Sequence, residues 1–237
     1  MHVAAQPAYH RQPRRSPPAH ADRAAGANVT VAWWTQSGIE TPKEITFAPG
    51  ETLFFEGDAA EFFFEIIVGT VRCCGLTQDG RRQIYRFAAE GEMLGLGGEE
   101  SYSFSAEAVT EVVVRRHRLA SLDAAMARDE GLRRRVLQAL RDELAAVRTQ
   151  IVLLGQMSAA EKVASFLLTL SRRLDDRDAC IYLPMTRADI ADYLGLTIET
   201  VSRKIHEFRR LGVIDLIAPT RLRIVDLDRM GAIAETA

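Results

Sequence analysis

The sequence TRADIADYLGLTIETVSRKI at residues 186–205 constrains this chain more than any other stretch. Thr186 supplies the hydroxyl of a helix N-cap. Asp189, three residues on, makes something close to a capping box, with Asp for the usual Glu. Ile190, Ala191 and Leu194 then fall on one helical face, and Ala191 is small enough for a second helix to cross close by. Gly195 stands where the first helix has to stop, and glycine accepts the left-handed conformation that a helix C-terminus often needs. Thr197 can cap the next helix, in which Val201, Ile205 and Phe208 share an inward face at helical spacing. The spacing predicts two short helices joined by a tight turn, with Glu199, Ser202, Arg203 and His206 left facing outward.

That outward face suits base reading in a DNA major groove. Arg203 can take guanine O6 and N7 together, Glu199 can accept from a cytosine amino group, and Ser202 can approach a thymine methyl or an acceptor. A plain solvated helix would carry similar charges, but the Ala191–Gly195–Val201 spacing is that of a helix-turn-helix and favours DNA contact. Residues 184–237 hold eight Lys/Arg and eight Asp/Glu, and the whole chain is at −2, so DNA binding has to rest on local placement. Within 198–210, Arg203, Lys204, Arg209 and Arg210 outnumber Glu199 and Glu207. This balance points to a specific reader of sequence more than a nonspecific coat. Arg187, Thr197, Lys204, Arg209 and Arg210 are the expected phosphate contacts, and Arg221 and Arg223 could join them.

The 237 residues, 47% of them hydrophobic, allow two ordinary domains with sizeable cores. From about residue 40 to 117 the pattern is β, with apolar and β-branched runs at 45–47, 53–55, 62–68, 83–87 and 109–114. Gly57, Gly69, Gly80 and Gly91 punctuate them at the spacing of an antiparallel roll or barrel, and Asp79-Gly80 is a hairpin signal. The run Phe62-Phe63-Phe64 reads as core and sheet packing. From about 119 to 155 the pattern turns helical. Leu137, Leu140, Leu144, Val147, Ile151 and Leu154 form an a/d seam over nearly three heptads, with Arg141, Asp142, Arg148 and Gln150 covering the other faces. A homodimer seam is preferred over a helix packed only on its own β domain. Ser158-Ala159-Ala160-Glu161 is a capping box opening a helix that reaches about Arg173. A charged linker follows at 174–179. Runs at 213–218 and 221–225, joined through Pro219-Thr220, predict a two-stranded wing.

The expected organisation is therefore α+β: a disordered leader at 1–30, an antiparallel β-roll at 31–118, a dimerisation helix at 119–156, and a winged helix-turn-helix at 157–237. The leader's Arg14-Arg15 has no apolar region after it, so composition favours a disordered segment over a targeting peptide. The three cysteines, Cys73, Cys74 and Cys180, are odd in number and include an adjacent pair, which argues against a disulfide scaffold and for a reducing cytoplasm. Cys73 and Cys74 should alternate faces on a strand, leaving at most one buried. Cys180 is either a small semi-buried hydrophobe beside Ile181 or an oxidisable thiol beside the DNA-binding unit. No apolar run is long enough for a membrane helix. No nucleophile elbow, Walker loop, zinc spacing or carboxylate pair in a recognisable context suggests an enzyme.

The β-roll, the long seam helix and the winged helix carrying Glu199-Thr200-Val201-Ser202-Arg203 together resemble the Crp/Fnr superfamily of bacterial transcription regulators. The resemblance covers nearly everything after residue 30. It implies a β-roll of the cupin-like, double-stranded jelly-roll kind and a homodimer that binds palindromic double-stranded DNA and recruits or blocks RNA polymerase. The cyclic-AMP receptor branch has an Arg just before the recognition-helix Glu and a Gly before the later Arg. Here those positions are Ile198 and Ser202. The pattern is similar to the Fnr and FixK branches, whose half-site is of the TTGAT type, and an apolar Ile198 suits a thymine methyl. Base readers are then Ile198, Glu199, Ser202 and Arg203. Leu96 and Phe104 stand where a nucleotide-binding roll would place its ribose acid and phosphate Arg. Three cysteines, none before Cys73, cannot make a four-thiolate iron–sulfur site. What remains resembles FixK: no cofactor, and an activator's role in low-oxygen respiration or nitrogen fixation. The competing expectation is an effector-dependent sensor that binds DNA only when haem, nitric oxide or another small molecule loads the β-roll, with His117 and Met93 as conceivable haem ligands.

Overall fold

The computed structural model describes residues 42–97, 100–172 and 180–235. The expected leader and the charged linker at 174–179 lie outside them. The N-terminal part is an antiparallel β-roll, as expected, built from eight strands: β1 (Lys43–Phe47), β2 (Thr52–Phe54), β3 (Phe62–Val68), β4 (Val71–Leu76), β5 (Arg82–Ala88), β6 (Met93–Leu94), β7 (Ser105–Ala108) and β8 (Val112–Arg118). They form two four-stranded sheets, ordered β1-β8-β3-β6 and β2-β7-β4-β5. Between the sheets lies a core that includes Phe54, Phe64, Ile66, Val71, Cys73, Ala106, Val112 and Val114. Gly80 takes φ 78° in the β4–β5 turn, where the Thr77 hydroxyl donates to Asp79 and the Gly80 amide to the Thr77 carbonyl.

Strand alternation explains the phenylalanine run. Phe64 faces the roll interior, while Phe63 faces out and is covered by helices. A 3₁₀ turn at Leu119–Ser121 leads into α1 (Leu122–Arg128) and α2 (Glu130–Gln156). Asp129 caps α2 by accepting from the Leu132 amide at 3.0 Å. Leu132 and Val136 on its first two turns pack with Phe63, Met93 and Leu122. The helix thus rests on its own β domain through residues off the heptad seam. All six seam residues stay 37–65% exposed, Leu154 least and Ile151 most.

Two sequence expectations need correction. Cys73 and Cys74 are both buried, at 1% and 4% exposure. Their side chains do take opposite faces, but both faces are covered: Cys73 joins the roll interior, and Cys74 joins a second core shared with the C-terminal domain. Burial pushes the Cys73 thiol up to about 12 and the Cys74 thiol to about 11. Gln150, expected on a polar face, is also buried, and its amide donates to the Tyr193 carbonyl at 2.6 Å.

The C-terminal domain comprises α3 (Ala159–Ser171), β9 (Cys180–Tyr182), α4 (Arg187–Leu194), α5 (Ile198–Arg210), β10 (Ile214–Ala218), β11 (Arg221–Ile224) and α6 (Leu227–Ala234). The Ser158–Glu161 capping box is complete. The expected wing of β10 and β11 gains a third strand, because β9 pairs with β11, and the sheet order is β10-β11-β9. Leu167, Ile181, Ile190, Leu194, Val201, Phe208, Leu222 and Met230 are among its core, which continues into Ile84 and Phe87 on the outer face of the roll's second sheet.

Candidate nucleic-acid interface

The turn-linked helix pair forms as its residues dictate. Thr186 caps α4 in a complete capping box: its hydroxyl accepts from the Asp189 amide at 3.1 Å, and Asp189 Oδ2 accepts from the Thr186 amide at 3.0 Å. Gly195 ends α4 at φ 61°, and a Cβ there would also sit 3.1 Å from the Leu154 side chain. Thr197 caps α5 by accepting from the Thr200 amide at 3.3 Å. Val201, Ile205 and Phe208 are each at most 2% exposed and anchor α5 to the core.

The opposite face of α5 is open. Ile198, Glu199, Arg203 and His206 are exposed, and Ser202 is half-buried beside them. The four expected base readers therefore share one outward surface on the first two turns. The Arg203 guanidinium donates through Nη2 to the Thr200 hydroxyl at 3.3 Å, and the Thr197 hydroxyl donates to the same oxygen at 3.1 Å.

The expected phosphate ligands are placed less uniformly. Arg209 and Arg210 are exposed on the last turn of α5, where cations also suit the helix dipole. Lys204 is half-buried and paired with Glu207 at 2.8 Å, so a phosphate would compete with a carboxylate. The Lys204 ammonium holds the Glu207 carboxyl below its usual range. The Thr197 side chain is engaged in its own cap. Arg187 opens α4 half-buried, and burial pushes its guanidinium below the ordinary value. Its Nη1 is buried and has no hydrogen-bond partner among the described residues. Arg221 and Arg223 are exposed on β11.

Residues that sequence reasoning missed hold this unit in place from the roll. Arg72 on β4 donates from Nη1 to Asp189 Oδ1 at 3.1 Å and from Nε to Glu107 at 2.7 Å. Arg82 on β5 donates from Nη2 to the same Asp189 oxygen at 2.7 Å and from Nε to Asp192 at 2.8 Å. The Gln83 amide donates to the Asp192 carbonyl at 2.7 Å. Beside them, the Phe87, Phe166 and Tyr193 rings meet in tilted contacts with centroids 5.5–6.4 Å apart. Burial raises the Asp189 carboxyl, but the Thr186 hydroxyl and amide, with Arg72 and Arg82, outweigh it and hold the group ionised below its usual range.

The residues weighed as effector or redox groups sit elsewhere. Phe104 packs against Phe54 with ring centroids 5.5 Å apart, so the position offers a phosphate no charge. The His117 side chain is fully buried, stacked on Phe63 at 4.7 Å, with Nε2 3.8 Å from Glu65. Met93 lies in the packing between Phe63 and α1 and α2. Cys180 is half-buried on β9, opposite Arg223. Among the described residues, no group of three or more His, Cys, Asp or Glu could hold a metal ion, and no helix is long and apolar enough to cross a membrane.

Comparison with known proteins agrees with this layout. Residues 161–233 match the model of the Crp-like helix-turn-helix domain, and residues 44–129 match that of the cyclic nucleotide-binding domain. The chain is 41% identical to the nitrogen fixation regulation protein FixK of Bradyrhizobium diazoefficiens, over 74% of this chain and 75% of that one. It is 37% identical to the transcriptional activatory protein AadR of Rhodopseudomonas palustris, over 81% of each. The solved structure of FixK2 from Bradyrhizobium japonicum superposes with a TM-score of 0.78 at 33% identity, over 84% of this chain and all of that one.

Proposed function

Because the chain belongs to the Crp/Fnr family of DNA-binding transcription regulators, on its FixK-like branch, we propose that it binds palindromes of the TTGAT-N4-ATCAA kind as a homodimer. The observation that carries this reading is the exposed Ile198, Glu199 and Arg203, with half-buried Ser202 beside them, on a helix fixed by its cap and its core. Arg203 would take the guanine of the half-site, Glu199 a cytosine amino group, and Ile198 a thymine methyl. Arg187, half-buried at the start of α4, would offer the exposed part of its guanidinium to a backbone phosphate. Arg209 and Arg210 would extend the phosphate track. The exposed a/d stripe of α2 supports pairing with a second copy, whose recognition helix would enter the next major groove about 34 Å away. By likeness to FixK and AadR, the genes controlled would be those of nitrogen fixation or low-oxygen respiration, with the regulator acting as an activator through RNA polymerase.

Titration of the purified protein on the palindrome and on a scrambled duplex of equal composition tests this. Specific retention of the palindrome is expected, and equal affinity for both duplexes would defeat the reading. Arg203→Ala should remove about 1–3 kcal/mol of discrimination at the guanine. Lys204→Ala should weaken all duplexes alike. The competing effector-loaded sensor predicts a Soret band in freshly purified protein and binding that depends on it. A flat visible baseline with full binding is the outcome expected here.

A further inference from the structure

We infer that Arg72 and Arg82 on the β-roll are positioning residues that set the pose of the recognition helix. The inference deepens the DNA-binding reading above and rests on it. Its basis is the division of labour at Asp189. One carboxylate oxygen, Oδ2, closes the capping box that starts α4, accepting from the Thr186 amide and hydroxyl. The other, Oδ1, accepts from both Arg72 and Arg82. The residue that starts the helix-turn-helix is therefore the residue by which the roll holds it, and it is 2% exposed.

The remaining contacts hold the same pose. Arg82 straddles Asp189 and Asp192, one turn apart on the same face of α4, so its planar fork reads both the position and the rotation of that helix. Gln83 grips the Asp192 carbonyl, and Gln150 from α2 grips the Tyr193 carbonyl, so the last turn of α4 is held from two elements at once. Ile84 and Phe87 continue the apolar core of the DNA-binding domain into the roll. Since α2 also carries the expected dimer seam, the same contacts fix the recognition helix relative to the dimer axis. Without them, two DNA-binding units would have to be ordered on each binding event, and that ordering is a cost to affinity.

A docked helix pair reads half-site spacing, whereas a loosely tethered pair does not. Arg82→Ala, Arg82→Gln and Arg82→Lys are compared with the parent on TTGAT palindromes whose halves are separated by three, four or five base pairs. Hydrogen exchange of the DNA-free proteins is followed in parallel. The parent should favour the four-base-pair spacer. Arg82→Ala and Arg82→Gln should bind that site roughly tenfold more weakly, the scale of one charge-assisted contact. They should also lose most of the preference among spacers, and Arg82→Lys should fall between. Faster exchange confined to α4 and β5 should accompany the loss, with thermal melting showing the variants folded. A merely destabilised protein would lose affinity on every spacer and keep the ranking. Unchanged spacer ranking and unchanged exchange at α4 in folded Arg82→Gln would overturn the inference. If the parent itself ignores the palindrome, the DNA-site reading fails, and exchange at α4 alone then decides whether Arg82 holds the domain.

Discussion

Two contact surfaces of α4 and α2 differ in almost every respect. The stripe Leu137, Leu140, Leu144, Val147, Ile151 and Leu154 is apolar, periodic and open, with Ile151 at 65% exposure. The junction where Arg72, Arg82 and Gln83 meet Asp189 and Asp192 is polar, aperiodic and closed, with Asp189 at 2%. The stripe is a pattern in one helix, and its strength depends on a second copy. The junction is assembled within one chain from residues 107–117 positions apart, and its strength comes from desolvation and geometry. A regulator that carries both can pair through a surface that costs the monomer little, and hold its reading head through a surface that is already complete.

The largest expected effect comes from breaking the open surface. Ile151→Glu places a carboxylate in the middle of the stripe. Because Ile151 is exposed in the single chain, the monomer should still fold. Sedimentation should show a monomer where the parent sediments as a dimer. Affinity for the palindrome should fall by about 10³ or more, toward the nonspecific level, since each half-site is then bound alone. A dimer that persists in this variant would remove the stripe from the interface.

The closed surface should respond to pH. Asp189 is held ionised below the ordinary carboxyl range in the folded protein, so it contributes stability above its unfolded value of about 3.9. That contribution is lost as pH falls through the lower folded value. Asp189→Asn should therefore cost about 2 kcal/mol at pH 7, in line with hydrogen bonds to a charged group. The gap between variant and parent should narrow as pH drops below about 4. Urea unfolding across pH 7 to 3 measures it; a gap that is constant with pH would mean the carboxylate's charge contributes nothing.

The same contrast explains what the amino-acid sequence discloses. Periodic features are legible: the α2 seam, the capped helices α3, α4 and α5, and the glycine-spaced strands. Strand β7, Ser-Ala-Glu-Ala, has no strand propensity of its own; pairing with β2 and β4 imposes it, and Ala106 and Ala108 are fully buried. In strand β4 the alternation of Cys73 and Cys74 is legible, but the cover over its outer face, where Cys74 joins the C-terminal core, is not. Strand β9 exists only as a partner of β11, across the sequence distance of a whole helix pair. The base-reading face follows from local helical spacing, so it could be named in advance. Arg72, Arg82 and Gln83 could not, because a polar residue on a strand looks solvated until the helix that covers it is in place.

The smallest effect comes from a pair with the chemistry of the junction and the exposure of the stripe. Glu130 on the first turn of α2 bonds Arg133 and Arg134, at i,i+3 and i,i+4, with side chains 51–78% exposed. Arg82 with Asp189 and Asp192 is likewise one fork against carboxylates. If guanidinium–carboxylate pairing itself were decisive, Glu130→Gln and Arg82→Gln should cost similar amounts. Water and salt screen the exposed pair, and holding two long side chains together costs entropy, so Glu130→Gln should shift the unfolding free energy by no more than about 0.5–1 kcal/mol, with the helix-dipole contribution included. It should leave spacer preference on DNA untouched. Adding 0.5 M salt should erase most of the Glu130 effect and less of the Arg82 effect, because a half-buried Arg82 on a buried Asp189 is screened less. Equal salt sensitivity in the two variants would show that the junction is solvated, and that its hold on the recognition helix comes from the aromatic contacts of Phe87, Phe166 and Tyr193 instead.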